Sequence, residues 1–278
     1  TGKFYVLQNT PLKWNIDANI SFNRNRIGGL KADQFAQKLW SSADEVFIQR
    51  NGCPIGAIYG YVEDGFYDNL AEVMASPSAD IRAKGAGMIG EIKYRNFDDN
   101  PDITSADRVI IGDTNPDFVY GLTSNFEWKG VTLSFFLQGS QGNDIFNGNL
   151  MDMKMGNVGN ITREAYNTRW TEANATQAKW PKAVSGYERN MLISNRYVED
   201  GSYLKLKSLN IGYVWKPNFK GISNVNVYAS ATNLFTITGY SWFDPEVNAF
   251  GSDASRRGVD VYSYPSSRTF SLGIKVDF

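Results

Sequence analysis

Asp144, Glu164, Glu172, Asp244 and Glu246 are carboxylates in two long stretches, 143–195 and 236–264, rich in Gly, Asn, Ser and aromatics. Two of them held close together could run general acid–base chemistry, as in glycoside hydrolysis. Their sequence gives no reason to expect two of them together, so solvated loop charges are the expectation. Histidine is absent and Cys53 is the only cysteine. Ser–His and Cys–His nucleophilic pairs, His-ligated metals and internal disulfides are therefore excluded. The residue types argue against an enzyme, and neither catalytic residues nor a cofactor is expected.

Two further segments imitate chemical motifs. Gly85-Ala86-Gly87-Met88-Ile89-Gly90 has the spacing of a dinucleotide fingerprint. It follows no buried strand and opens no convincing helix, so the glycines lack the helix N-terminus that holds a pyrophosphate. Residues 96–103 place oxygens at alternate positions as a calcium loop does, but Asn96 and Asn100 are neutral and Pro101 stands where the sharp turn needs Gly. An ordinary polar loop and no metal site are expected. Trp170, Trp180, Trp242 and Phe243 lie in the long stretches, where they could stack on a sugar, grip a peptide or pack against one another.

The elements that position these side chains are strands. Phe270, Leu272, Ile274, Val276 and Phe278 occupy every second position at the end of the sequence, with Thr269, Ser271, Gly273, Lys275 and Asp277 between them. Successive strand side chains point to opposite faces, so the segment has one apolar and one polar face. Leu12, Trp14, Ile16, Ala18, Ile20 and Phe22 repeat the pattern against Lys13, Asn15, Asp17, Asn19, Ser21 and Asn23. Residues 118–128 and 131–141 form a hairpin about Lys129-Gly130, and residues 202–215 and 225–235 another about 216–221. Leu204 and Leu206 are out of phase with Leu209 and Ile211, which a bulge near Ser208 or a change of environment would explain. Short connections fall at one end of the sheet and long ones at the other, the habit of outer-membrane barrels.

Residues 31–40 and 67–75 are candidate short helices, while 54–61 and 91–94 are a candidate extra strand pair. The strand count is six, or eight with that pair. Trp14, Trp128, Tyr213 and Trp215 lie near strand ends, as an interfacial aromatic belt or as the edge of a sandwich. The net charge of -1 gives no nucleic-acid footprint. No secretory signal opens the sequence, which suggests a processed or partial chain.

The ordered motifs closely resemble the carboxy-terminal part of the SusC/RagA-like TonB-dependent outer-membrane transporters of Bacteroidetes. They run from Gly112-Asp113-Thr114-Asn115-Pro116 through Leu137-Gln138-Gly139-Ser140-Gln141-Gly142-Asn143-Asp144, then Arg169-Trp170-Thr171 and Pro181. Glu199-Asp200-Gly201-Ser202-Tyr203-Leu204 follows, then Asn233-Leu234-Phe235, Gly239-Tyr240, Asp244-Pro245-Glu246, Tyr264-Pro265 and Arg268-Thr269-Phe270. The resemblance covers essentially residues 1–278. It implies an all-β fold, an antiparallel transmembrane β-barrel segment of about six to eight strands from a larger plugged barrel, with long extracellular loops. Such barrels close with about 22 strands, so this piece would complete its barrel with the rest of its own protein, plug and TonB box lying outside it.

The implied function is TonB-dependent import of a large nutrient, oligosaccharide or peptide, across the bacterial outer membrane. Implied partners are a SusD-like lipoprotein, the TonB complex through the missing amino-terminal part, and outer-membrane lipid. Trp170, Trp180, Trp242, Phe243, Asp244 and Glu246 would face substrate or partner, and Phe270 and Phe278 would serve as an assembly signal. The rival expectation is a secreted or surface-anchored β-rich protein that binds glycans or acts as an adhesin.

Overall fold

The alternating segments become one seven-stranded antiparallel sheet in which every strand pairs with its neighbour in sequence. Its strands are β1 (Gly2–Leu7), β2 (Leu12–Ser21), β3 (Phe118–Trp128), β4 (Val131–Gln141), β5 (Tyr203–Trp215), β6 (Asn224–Thr238) and β7 (Thr269–Asp277). The structure is a computed structural model that describes residues 1–39, 44–155, 160–184, 188–218 and 221–278. β1 and β7 each have one unpaired edge. The sheet is therefore open, a section of wall.

Register aligns the apolar positions into rows. One row runs Ile16, Ser124, Phe135, Leu209, Ala231, Phe270, and the next Trp14, Phe126, Leu133, Ile211, Ala229, Leu272. These positions lie on the outward face, where Leu272 is 80% exposed, while Ser124 and Ala231 are buried among their neighbours. The opposite face is polar. There Asn125 donates to Asn15 at 2.9 Å, Ser134 donates to Asn125 at 2.7 Å, and Lys13 meets Glu127 at 3.2 Å. From Phe118 to Trp128 the outward face spans eleven residues, which is about ten strand steps. At about 3.3 Å each and a tilt of about 40°, they rise about 25 Å, the height of an outer-membrane apolar band.

The register depends on local devices. Lys129 and Gly130 both have positive φ, 45° and 86°, which is the two-residue type I′ turn whose twist matches a hairpin. Against β4 the pairing steps from Leu137–Leu206 to Phe136–Ser208, leaving Lys207 as an extra residue on β5, while on the β6 side Lys207 spans both Asn233, whose φ is 52°, and Leu234. That extra residue turns both Leu206 and Leu209 outward, so the broken phase in the sequence is the bulge. The Trp14 indole stacks on Phe126 at 5.3 Å and donates to Ser124 Oγ at 2.9 Å, which pairs two polar groups on an apolar face. Ser124→Ala strands that N–H, a loss of about 1–3 kcal/mol. The expected reading is a lower urea midpoint for refolding into bilayers, and an unchanged midpoint would refute the role.

Three short turns (8–11, 129–130 and 216–223) lie at one end of the wall, and three long loops (22–117, 142–202 and 239–268) at the other. Phe219 and Lys220 of the third turn lie outside the described residues. The hydrophobic core is in the loops, because the wall turns its apolar side outward. Phe47 and Ile58 from the first loop, Phe146 and Tyr197 from the second, and Val259 from the third pack in one cluster.

Two expectations fail in the loops. The helix expected at 31–40 is a strand, Gln34–Lys38, because pairing to the buried strand Glu45–Gln49 overrides local propensity; Trp40 lies outside the described residues. Segments 54–61 and 91–94 both contain strands, yet they do not pair. Ala57–Gly60 lies between Glu45–Gln49 and Val109–Asp113, while Ile92–Tyr94 pairs with Glu63–Phe66. The helix expected within 67–75 is present as Leu70–Ala75, its Asn69 side chain accepting from the Glu72 N–H. The glycine-rich 85–90 segment follows a helix, Ala79–Lys84, and precedes a strand, the reverse of a dinucleotide fold.

Candidate functional site in the outer loops

Strand Val198–Asp200 pairs with Asp144–Asn147, which pairs in parallel with Val259–Asp260, so the second and third loops share a sheet. Polar contacts finish the join. Glu199 Oε1 accepts from Asn147 Nδ2 and from Ser241 Oγ, each at 2.8 Å, and Oε2 accepts from the Ser241 N–H at 2.8 Å. The first loop is tied in by a bidentate pair. Arg196 Nε donates to Glu63 Oε1 at 2.8 Å, its Nη2 reaches Oε2, and Ser194 Oγ also donates to Oε1. The guanidinium lies 5.4 Å from the Phe66 ring centre and 5.2 Å from that of Trp180. Where the three loops meet is a recess of about 370 Å³ with a mixed lining that includes Glu63, Leu150, Trp180, Arg196, Glu199 and Ser241.

The third loop is pinned to the inner face of the wall. Lys205, only 1% exposed, donates to both Asp244 oxygens at 3.0 Å and also to Glu246. Lys207 at the bulge donates to Glu246 at 2.8 Å, and Tyr203 OH donates to its other oxygen at 3.1 Å. The fold thus gathers Asp244 and Glu246 onto one cation, 39 and 41 residues away in sequence. Burial pushes both carboxyls up. Around Asp244, hydrogen bonds from the Glu246 backbone and Ser266 and the Lys205 charge outweigh it; around Glu246, Lys205 and Lys207 do, so both end below their ordinary values of 3.8 and 4.5. Held ionised and fully partnered, they make a poor proton donor and serve as a clamp.

Depressed native values mean that this stabilisation is complete above the unfolded pKa and is lost as pH falls through the native one. Acidification below 3.8 and 4.5 is therefore expected to free the 239–268 loop. Pepsin cleavage within it should rise there, while a flat cleavage profile would show that the clamp holds nothing.

The other singled-out residues separate by environment. Trp170 and Trp180 are each 7% exposed and packed within the loop core. Trp170 Nε1 donates to Asp68 at 2.9 Å, and a Cβ on Gly90 would lie 2.6 Å from its ring. Trp242 packs edge-on to Phe243 at 5.2 Å, and Phe243 is 71% exposed. Trp128 and Tyr213 share a row at the turn end with Trp215 beyond them, and Trp14 lies one row further in. Phe270 stands on the outward face and Phe278 beyond the last strand, both exposed. Among the described residues, no three acidic or cysteine side chains converge as a metal site would require. Sequence reasoning missed Glu63, Arg196, Glu199 and Lys205; Lys205 alone left a signal, a cation on the polar face beside the phase break.

A wall with an apolar outward face, a polar inner face and long loops at one end is a segment of a transmembrane β-barrel. Across 98% of its length the chain is 34% identical to TonB-dependent receptor P3 of Formosa agariphila, and across 95% it is 26% identical to TonB-dependent receptor SusC of Bacteroides thetaiotaomicron. It spans about a quarter of each relative, 27% and 24%. The RagAB peptide importer in its open-open state superposes on 99% of the chain with a TM-score of 0.72 at 21% identity, using 28% of that chain. No family model matches. Over nearly its whole length the chain is similar to TonB-dependent receptors, SusC among them, and it shares the fold of the corresponding part of the RagAB peptide importer.

Proposed function

We propose that residues 1–278 are the carboxy-terminal wall and outer loops of a TonB-dependent importer in the bacterial outer membrane. The whole protein would carry a large nutrient, oligosaccharide or peptide. A SusD-like lipoprotein would cap the loops, and TonB would act through an amino-terminal part that also supplies the plug. The observation that carries this reading is the unbroken outward belt, matched in height to a bilayer, below three interlocked loops at a single end. The likeness to the RagAB peptide importer favours the peptide branch.

On this reading Trp128, Tyr213 and Trp215 sit at the turn-side membrane interface, with Trp14 just inside it. Phe243, carried by the clamped third loop, offers substrate or lipoprotein an exposed ring. Trp170 and Trp180 shape the loop core behind it, and Asp244 and Glu246 fix the loop's position. Fractionation and uptake test the proposal together. The intact protein should sediment with outer membrane as a heat-modifiable band, and uptake of its cargo should stop without TonB. Recovery in the aqueous phase would instead identify a secreted binding protein, and uptake that persists without TonB would overturn import.

A further inference from the structure

The outward face has one open trough. In two adjacent rows, β6 contributes only Ala229 and Ala231, each flanked by large side chains: Ile211 and Leu272 beside Ala229, Leu209 and Phe270 beside Ala231. The result is a groove of about 450 Å³ running along β6, with Leu234 also in its lining. Ser230 and Ser271 also line it, but their positions alternate to the inner face, so its side-chain walls are hydrocarbon.

Three other small residues on the outward face are roofed by the chain itself. A Cβ on Gly139 would lie 2.2 Å from the Tyr120 ring, and one on Gly2 would lie 2.9 Å from Phe4. Ser124 is covered by Trp14 through its hydrogen bond. Nothing in the described chain roofs Ala229, which is exposed. Strands stand about 4.8 Å apart, so the ridges on β5 and β7 leave the width of one strand between them. That width suits a single methylene chain better than a helix, which is about 10 Å across.

We infer that the Ala229–Ala231 trough holds one acyl chain of a membrane lipid, seated between the β5 and β7 ridges. The trough is continuous with the apolar belt, lies within the band whose height matches a bilayer, and has no polar side chain to anchor a headgroup or a soluble ligand. This rests on the membrane placement proposed above. The intact transporter would be reconstituted into phosphatidylcholine–phosphatidylglycerol vesicles carrying a chain-labelled phosphatidylcholine spin probe, and only heat-modifiable barrel would be counted. Failure to insert would overturn the placement; the spectrum of inserted barrel tests the trough.

Filling the trough with Ala229→Leu and Ala231→Leu should lower the immobilised lipid by a single chain per barrel, while Ile237→Leu elsewhere on the face should leave it unchanged. Should the double variant assemble poorly, Ala229→Leu alone carries the test, because Ala229 is exposed and Ala231 is buried. Equal immobilised fractions in filled and unfilled barrels would overturn the inference. So would a disulfide between copies bearing Ala229→Cys in a Cys53→Ser background, which would assign the trough to a second copy.

Discussion

Lys205→Met is expected to release the third loop and destabilise the assembled protein by about 3–5 kcal/mol, the usual effect of removing one partner from a buried ion pair. Lys205 is enclosed by Asp244 and Glu246, and only Glu246 retains a second cation, Lys207. Asp244 would be left a buried carboxylate with no cation. The readout is trypsin cleavage within 239–268 at neutral pH, together with the yield of heat-modifiable barrel. Combining Lys205→Met with Asp244→Asn and Glu246→Gln removes the charges as a set, so much of the loss should return. A Lys205→Met protein as resistant to trypsin as the parent would show that the loop is held by its apolar contacts alone.

The clamp also marks how far the sequence can be read. Alternation gives away a strand because its period is two, and Lys129-Gly130 gives away a turn because few pairs accept two positive φ values. Alternation made the wall legible from Leu12 to Phe278, most sharply at the Lys129-Gly130 hairpin, where both signals coincide. β1 was harder, since Phe4-Tyr5-Val6-Leu7 is a continuous apolar run with no polar alternate. The loops obey another logic. Glu63 and Arg196 meet across 133 residues, and nothing local in either segment foretells it. Phe35, Ala36 and Leu39 fit one helix face as well as they fit a strand, until pairing with Val46–Ile48 decides the matter. Trp170 and Phe243 look equivalent in sequence. Only the folded loops bury one and leave the other out.

Leu209→Lys and Asn210→Lys should part company although the residues are neighbours on β5. Leu209 lies in the row of Phe135, Ala231 and Phe270, near mid-height on the outward face. A lysine at the midplane of a lipid-facing barrel surface costs about 2–4 kcal/mol. Asn210 points to the polar inner face beside Ser134, where a lysine should change stability by no more than about 0.5 kcal/mol. Urea titration of both variants refolding into bilayers gives the comparison. A lower midpoint for Leu209→Lys alone follows if the outward face meets lipid. Equal midpoints would mean that both faces are wet, which a membrane wall forbids and a soluble sheet allows. The same pair in detergent-free buffer sharpens the choice, because on a soluble sheet Leu209→Lys would replace exposed hydrocarbon and improve solubility. The sign of one substitution therefore separates the two architectures.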